Sequence, residues 1–234
     1  MSAESAHEHQ HGHGHGHGHQ HGHGPDHGHQ ADQGWAGFLR YARMLPRMWR
    51  SDVSGAVVGM VAPAVGERVV DLGAGMGAAT VVAARRGAHV LAVDPTPYMR
   101  RILGARRLGQ RARSRITVVD GAAESIPAVD GSIDAVWSVN AMHHWSELDH
   151  AVAEIVRVLR PGGRGVLVDE DFDDPSHPSY ERFKQRRATS GVYFDVIDPQ
   201  HVAALFVQAG CIEAAGTLEA VAGRPAKVVR LIRS

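Results

Sequence analysis

The chain has 234 residues, which is enough for one α/β domain with a sizeable core and a short appendage but not for a second full domain. Its 25 basic residues (Lys and Arg) balance its 25 acidic residues, so no net charge attracts nucleic acid or an anionic membrane, and we expect neither partner. The single cysteine, Cys211, excludes an intrachain disulfide and a paired-cysteine zinc site. It suits a reducing compartment, and we expect a cytoplasmic protein with no membrane span. Composition leaves the oligomeric state open.

The N-terminal region is a separate compositional segment, in which histidine alternates with glycine or glutamine from residue 7 to residue 29. Because this stretch has no apolar residues to bury, we expect residues 1–34 to be a disordered tail and residues 35–234 to form the folded domain. Imidazoles on a flexible chain can converge on Ni²⁺, Zn²⁺, Cu²⁺ or Co²⁺. The candidate ligands are His11, His13, His15, His17, His19, His21 and His23. An expression tag or a solubilising tail is the alternative.

After the tail, apolar residues recur with the spacing either of a helix or of a buried strand. Helices are predicted at residues 35–50, 51–63, 78–86, 97–108, 147–159 and 199–209. Strands are predicted at residues 67–71, 89–94, 116–120, 133–140, 165–171, 211–220 and 226–233, with an irregular stretch before residue 199. The alternation of strands and helices predicts a doubly wound sheet of parallel strands.

A glycine-rich turn follows the first predicted strand. Gly73, Gly75 and Ala78 satisfy the G-x-G-x-x-G/A fingerprint of dinucleotide-binding domains, in which a pyrophosphate lies at the helix N-terminus. Asp71 argues against that ligand, because its carboxylate would face a phosphate of the same charge. A ligand with an ammonium group, such as S-adenosylmethionine, fits better.

The segment VVDLGAGMG at residues 69–77 resembles the D/E-x-G-x-G-x-G motif of the class I S-adenosylmethionine-dependent methyltransferases. Asp94 and the segments at residues 121–127, 130–136 and 157–163 resemble further motifs of that family in the same order. The resemblance is closest to the type 11, quinone-biosynthesis-like group. It implies an α/β fold with a Rossmann-like, mainly parallel sheet of seven strands that ends in a C-terminal antiparallel hairpin.

The same resemblance implies how the cofactor would be held. Asp94 would accept the two ribose hydroxyls, a role that its spacing from the glycines also favours, with a strand-end cap as the alternative. Pro95 would flank the adenine, Ala122 replaces the acidic residue that usually meets the adenine amino group, and Asn140 would point towards the methionine part. The predicted cofactor-binding residues are Asp71, Gly73, Ala74, Gly75, Asp94, Pro95, Gly121, Ala122, Ala123 and Asn140.

Catalytic residues are harder to identify, because methyl transfer from a sulfonium mainly requires that the acceptor be positioned. His143 and His144 are candidate general bases for a protonated acceptor, and packing or capping is the alternative. The acidic residues after the fifth strand are predicted to form a solvated loop face: Asp169, Glu170, Asp171, Asp173 and Asp174. The arginines at residues 100–115 are predicted to form the polar face of an amphipathic helix.

The sequence therefore predicts an enzyme that moves a methyl group from S-adenosylmethionine to a small-molecule acceptor. Two other functions stay open, namely an NAD(P)-binding Rossmann oxidoreductase and a metal-binding protein that acts through its histidine-rich tail. The aromatic residues Tyr180, Phe183, Tyr193 and Phe194 favour an apolar or aromatic acceptor.

A chain that begins near Gly34 should lose most Ni²⁺ or Zn²⁺ binding but keep its fold and its affinity for S-adenosylmethionine, because every predicted cofactor residue lies beyond residue 67. Metal binding by the full chain should weaken as pH falls through the imidazole pKa of about 6.5, since protons compete for the same nitrogens. Isothermal titration of both chains with metal, over a series of pH values, measures these effects. If metal restored methyl transfer only in the full chain, the tail would instead belong to the catalytic machinery.

Overall fold

The computed structural model describes residues 49–190 and 197–234. The predicted tail with its metal ligands, residues 35–48, Tyr193 and Phe194 lie outside the described residues. The elements within them follow in the order α1 (Asp52–Val61), β1 (Arg68–Leu72), α2 (Ala78–Arg85), β2 (His89–Val93), α3 (Pro97–Leu108), β3 (Ile116–Val119), β4 (Ile133–Val139), α4 (Leu148–Val158), β5 (Leu159–Glu170), α5 (Tyr180–Ser190), α6 (Pro199–Gln208), β6 (Cys211–Val221) and β7 (Arg224–Arg233). None of these helices combines the length and the apolar character needed to cross a bilayer.

The seven strands form one sheet in the order β3-β2-β1-β4-β5-β7-β6. Strands β1 to β5 are parallel, whereas β7 runs antiparallel to both β5 and β6. The predicted mainly parallel sheet with a C-terminal antiparallel hairpin is confirmed. The strand order reverses between β1 and β4, and ligands of open α/β sheets bind beside this switch point, at the carboxyl ends of the strands.

Helices cover both faces of the sheet and bury its central strands. One apolar layer joins Val57 of α1 and Ala83 of α2 to Val69 of β1. The opposite layer joins Ile155 of α4 and Phe206 of α6 to residues of β4 and β5. Burial on both sides explains why the parallel strands are almost continuous apolar runs in the sequence.

Arg164 on β5 connects the end of α1 to the start of β1. Helix C-termini leave backbone carbonyls without intrahelical donors, and Arg164 donates to two of them, at Val61 (2.8 Å) and Ala62 (3.1 Å). Its guanidinium also donates to both carboxylate oxygens of Glu67, at 3.0 and 2.7 Å. These bonds hold the pKa of Glu67 below its usual value. One side chain therefore fixes the entry to the strand that leads into the glycine loop.

Three details differ from the sequence prediction. The stretch predicted to be irregular contains α5, which has too few apolar residues to show a helical period. Strand β5 begins at Leu159 instead of residue 165, because the glycine-containing turn lies in an irregularity of its pairing with β4. Strand β7 begins at Arg224, so the hairpin turn is Ala222 and Gly223, whose φ angles are 51° and 74°. Positive φ at both central residues is typical of a two-residue hairpin turn.

Arg164→Met should lower the free energy of unfolding by about 1.5–3 kcal/mol, the range for hydrogen bonds that involve a charged group. Part of this loss should disappear in acid. Since the pKa of Glu67 is lowered, its pairing with Arg164 stabilises the fold fully above the ordinary glutamate pKa of 4.5 and is lost as pH falls through the lowered value.

Urea unfolding of wild type and variant at neutral and acidic pH measures both effects. Arg160→Met is the matched control, because Arg160 makes its ion pair with Asp134 at the surface. An equal loss of stability in the two variants at neutral pH would contradict the role given to Arg164.

Candidate functional site

The loop between β1 and α2 is held in a conformation that requires glycine. Gly73, Gly75 and Gly77 have φ angles of 66°, 53° and 76°, in the left-handed region. A Cβ on Gly73 would lie 2.5 Å from the Cβ of Ala141, in the loop after β4. The absence of a side chain thus lets the loops after β1 and β4 approach each other at the switch point of the sheet.

Asp94, at the end of β2, connects that strand to the glycine loop. Its carboxylate accepts the Gly75 amide at 2.8 Å and the Thr96 amide at 2.8 Å, and the residue is only 5% exposed. Burial raises the pKa of Asp94, and the two amides oppose that effect. The strand-end cap considered from the sequence is therefore present, and the same carboxylate also fixes the glycine loop. A carboxylate has about four lone-pair positions, so it can still accept further donors.

Asp71 lies beneath the glycine loop. It is 2% exposed and accepts a hydrogen bond from the hydroxyl of Thr80, on α2. Burial raises its pKa to about 7, against the opposing influence of Thr80 and Trp137. In this geometry Asp71 binds the start of α2 to β1, and its contact with a ligand ammonium stays a prediction. Ala74, also buried, donates its amide to the Val93 carbonyl at 3.0 Å.

The predicted adenine side follows β2 and β3. Pro95 is exposed and Ala122 is partly exposed, whereas Ala123 belongs to the apolar core. A Cβ on Gly121 would lie 2.9 Å from atoms of both Pro127 and Val93, so only glycine fits there. Asp120 is exposed at this edge and pairs with Arg100 at 2.8 Å.

Asn140 connects the ends of β4 and β5. Its φ of 55° places it in the left-handed region. Its side-chain amide donates to the Glu170 carboxylate at 2.7 Å and accepts the Glu170 backbone amide at 2.7 Å. Both ends of the amide are thus engaged within the protein, and its predicted orientation towards the methionine part of a cofactor stays a prediction.

His143 is paired with a buried carboxylate. Its Nδ1 lies 2.8 Å from Oδ2 of Asp169. The same oxygen accepts the backbone amide of His143 at 3.0 Å, and Oδ1 accepts the backbone amide of Met142 at 3.3 Å. Burial by itself would raise the pKa of Asp169, but His143 and these amides hold it below its usual value. Because the ionised carboxylate can only accept, we assign the proton of neutral His143 to Nδ1, which makes Nε2 the basic nitrogen. His144 is exposed, with its ring centroid 4.0 Å from that of His143.

The prediction of a solvated acidic face is wrong for Asp169 and Glu170, which are 4% and 8% exposed. Strand β5 continues to Glu170 and carries both carboxylates into the edge of the core. The strand predicted at residues 165–171 already contained both residues, but their burial could not be predicted from the sequence, because the partners of both carboxylates lie far away along the chain.

A buried network around Glu170 was also missed from the sequence. Its carboxylate accepts from Arg224 at 2.9 Å and lies 3.0 Å from Nε2 of His177. Since Nδ1 of His177 accepts the Ser179 amide at 3.0 Å, Nε2 carries the proton and donates to Glu170. Burial would raise the pKa of Glu170, but Arg224, Asn140 and His177 together lower it. The network fixes the segment between β5 and α5.

Aromatic rings extend from this network. Phe172 packs edge-on against His177, with centroids 4.7 Å apart, and stacks on Phe183 of α5 at 4.0 Å. No group of three or more His, Cys, Asp or Glu residues within 49–190 and 197–234 is arranged to hold a metal ion.

Comparison with known proteins agrees with this architecture. Residues 70–167 match the family described as "Methyltransferase domain". An uncharacterized methyltransferase of Mycobacterium tuberculosis is 44% identical over 112 residues, which cover 48% of this chain and 43% of the relative. A demethylmenaquinone methyltransferase of Thermobifida fusca is 39% identical over 123 residues, which cover 53% of this chain and 50% of the relative. The chain thus spans about half the length of the curated relatives that it matches.

Solved structures share the fold. A putative S-adenosylmethionine-dependent methyltransferase of Methanococcus maripaludis superimposes with a TM-score of 0.65 at 15% identity, covering 85% of this chain and 93% of that one. The comparisons and the closing antiparallel strands do not support the alternative of a dinucleotide-binding oxidoreductase. Residues 70–167 thus match a methyltransferase domain, and the chain shares its fold with a putative S-adenosylmethionine-dependent methyltransferase.

Proposed function

We propose that this chain transfers a methyl group from S-adenosylmethionine to a small-molecule acceptor. The observation that supports this most strongly is the Asp94 carboxylate, which holds the amide of Gly75 beside the switch point of the sheet. The methyltransferase domain matched by residues 70–167 supports the same activity. S-adenosylmethionine, when bound, supplies a methyl group on a sulfonium whose leaving group needs no further activation.

The described residues fit this cofactor. The remaining lone pairs of Asp94 can accept ribose hydroxyls, and its bond to Gly75 keeps the glycine loop in place for the methionine part. The exposed Pro95 would flank a flat base between the loops after β2 and β3. The backbone at residues 121–123 would meet the adenine, because Ala122 offers no acidic group.

His143 would act as the general base when the acceptor carries a proton. Asp169 fixes the ring by its bond to Nδ1 and stabilises the imidazolium that forms when Nε2 takes the proton. The two backbone amides that Asp169 accepts keep the carboxylate itself in position. His144 is the second candidate, with an exposed ring whose centroid lies 4.0 Å from that of His143.

The acceptor side would be formed by the segment between β5 and α5. Phe172 lies on this segment, and Tyr180 and Phe183 lie on α5 directly after it, which favours an apolar or aromatic acceptor. The relative named for demethylmenaquinone suggests a quinol-type ring, whose hydroxyl would give His143 a proton to remove. A panel of phenols, quinols, amines and thiols, scored by formation of S-adenosylhomocysteine, would identify the class, and activity on polypeptides alone would contradict a small-molecule acceptor.

Two features suggest where the protein works and what else it binds. Cys211 is buried and burial raises its thiol pKa, which suits an unreactive cysteine in the cytoplasm. The histidines of residues 1–34 would bind divalent transition metals as a function separate from methyl transfer. The folded domain would comprise residues 35–234.

Asp94→Ala should weaken binding of S-adenosylhomocysteine by about 1.5–3 kcal/mol, the range for hydrogen bonds to a charged group. Isothermal titration of the purified chain measures this. Asp120→Ala is the control, because Asp120 ends the neighbouring strand but is exposed and makes its ion pair with Arg100. Unchanged affinity in Asp94→Ala would mean that the ribose is held elsewhere, and binding of NAD in place of S-adenosylhomocysteine would overturn the proposed activity.

His143→Gln should lower kcat for a hydroxyl acceptor by about 10²- to 10⁴-fold, the usual contribution of a general base. The loss should diminish towards about pH 10, where a phenolic hydroxyl ionises without help. Asp169→Asn should lower kcat in the same direction, since an amide can stabilise the wrong tautomer of His143. His144→Gln is the comparison variant, and KM for S-adenosylmethionine should stay unchanged in all three. A His143→Gln enzyme as active as wild type at neutral pH would remove His143 from the mechanism.

A further inference from the structure

A concave surface lined by arginines lies at the edge of the sheet opposite the candidate methyl-transfer site. Helix α2 starts at the glycine loop and ends at Arg85, just before the amino end of β2. Residues 109–115 likewise precede the amino end of β3. Between them is a cleft of about 550 Å³ that we call the arginine cleft, lined by Ala84, Arg85, Gly109, Gln110, Arg111, Ala112 and Arg115.

The positions of these arginines correct the sequence prediction. Helix α3 ends at Leu108, so Arg111 and Arg115 do not belong to its polar face. Arg115 ends a short 3-10 turn, whereas Arg85 comes from the end of α2. Three arginines from two segments, the end of α2 and residues 109–115, therefore line one cleft, which an amphipathic helix does not explain.

The cleft has positive charge without a carboxylate to balance it. No Asp or Glu is among its lining residues, and Arg85 donates instead to the neutral Gln110 side chain at 2.7 Å. The charge of Arg85, together with burial, lowers the pKa of the nearby Arg106. Across the described ranges, the arginines that pair with carboxylates are others: Arg100, Arg157, Arg160, Arg164, Arg187, Arg224 and Arg230. Although the whole chain has no formal net charge, three basic side chains lie together in this cleft.

The chemistry of the lining indicates the ligand. The planar fork of a guanidinium matches the oxygens of a phosphate, and all three side chains are exposed and able to reach a ligand. The volume suits a small molecule. Among the residues that the structure describes, no aromatic side chain lines the cleft, so these residues offer a base no stacking platform. We propose that the arginine cleft binds the phosphate chain of a small soluble ligand with two or more phosphates.

The test measures binding of inorganic tripolyphosphate to the full chain by isothermal titration at low ionic strength. A pH of about 8 and the absence of divalent metal keep the tail histidines neutral and unligated. The test variant replaces Arg85, Arg111 and Arg115 by Gln. The matched control makes the same change at Arg68, Arg86 and Arg101, which are exposed, do not line the cleft and form none of the ion pairs above.

Wild type and control should bind tripolyphosphate with affinity that falls as salt rises, and the test variant should bind about tenfold more weakly or worse. ATP should bind about as tightly as tripolyphosphate, because only phosphates are recognised. S-adenosylhomocysteine should bind equally well to all three proteins, which shows that the test variant is folded and separates this proposal from the methyltransferase proposal.

Three results would overturn the proposal. Wild type that binds no tripolyphosphate would exclude a phosphate site. An equal loss in test variant and control would show a diffuse field instead of a cleft. Tighter binding of a single-stranded oligonucleotide than of tripolyphosphate, lost in the same test variant, would make the surface a nucleic-acid interface.

Discussion

The bond between the Asp94 carboxylate and the Gly75 amide determines the shape of the candidate cofactor site. A hairpin cannot join adjacent parallel strands, because the crossover between them carries the chain from the carboxyl ends of the strands back to their amino ends. The loops at the carboxyl edge must therefore be joined by side chains. Asp94 joins the loops after β1 and β2, and Gly73 allows the loop after β1 to meet Ala141 beyond β4. The two amides that the Asp94 carboxylate accepts offset part of the effect of its burial.

Two consecutive carboxylates extend the same arrangement to the end of β5. Neighbouring residues of a strand point to opposite faces, so Asp169 and Glu170 serve different partners. Asp169 orients His143, whereas Glu170 binds Asn140, Arg224 and His177. The end of β5 thus fixes both the candidate base, His143, and the segment that leads to α5. A change in either carboxylate would affect the acceptor side without touching the glycine loop.

The similarity to known methyltransferases does not extend to all of this arrangement. The family match ends at residue 167, just before Asp169, Glu170 and the aromatic residues that follow them. The matched region contains the cofactor loops, which the reaction requires for any acceptor. The unmatched residues are those that would contact the acceptor. This division explains why the similarity to known proteins supports the fold and the proposed cofactor more strongly than any substrate.

The sequence by itself determined the sheet, the glycine loop and the position of Asp94, because these depend on local periodicity and on spacing within a short stretch of chain. It also located the C-terminal hairpin, through the resemblance to a family. It did not locate α5, whose few apolar residues give no helical period, and it placed Asp169 and Glu170 in solvent.

Only the tertiary structure decided the partners of these groups. His143 meets Asp169, Glu170 meets Arg224, and Arg85 of α2 lines one cleft with Arg111 and Arg115. Residues so far apart along the chain come together only when the strands take their order in the sheet, and no local pattern encodes that order. Burial, which raises the pKa of Asp71 and which His143 and two amides oppose at Asp169, depends on the same assembly.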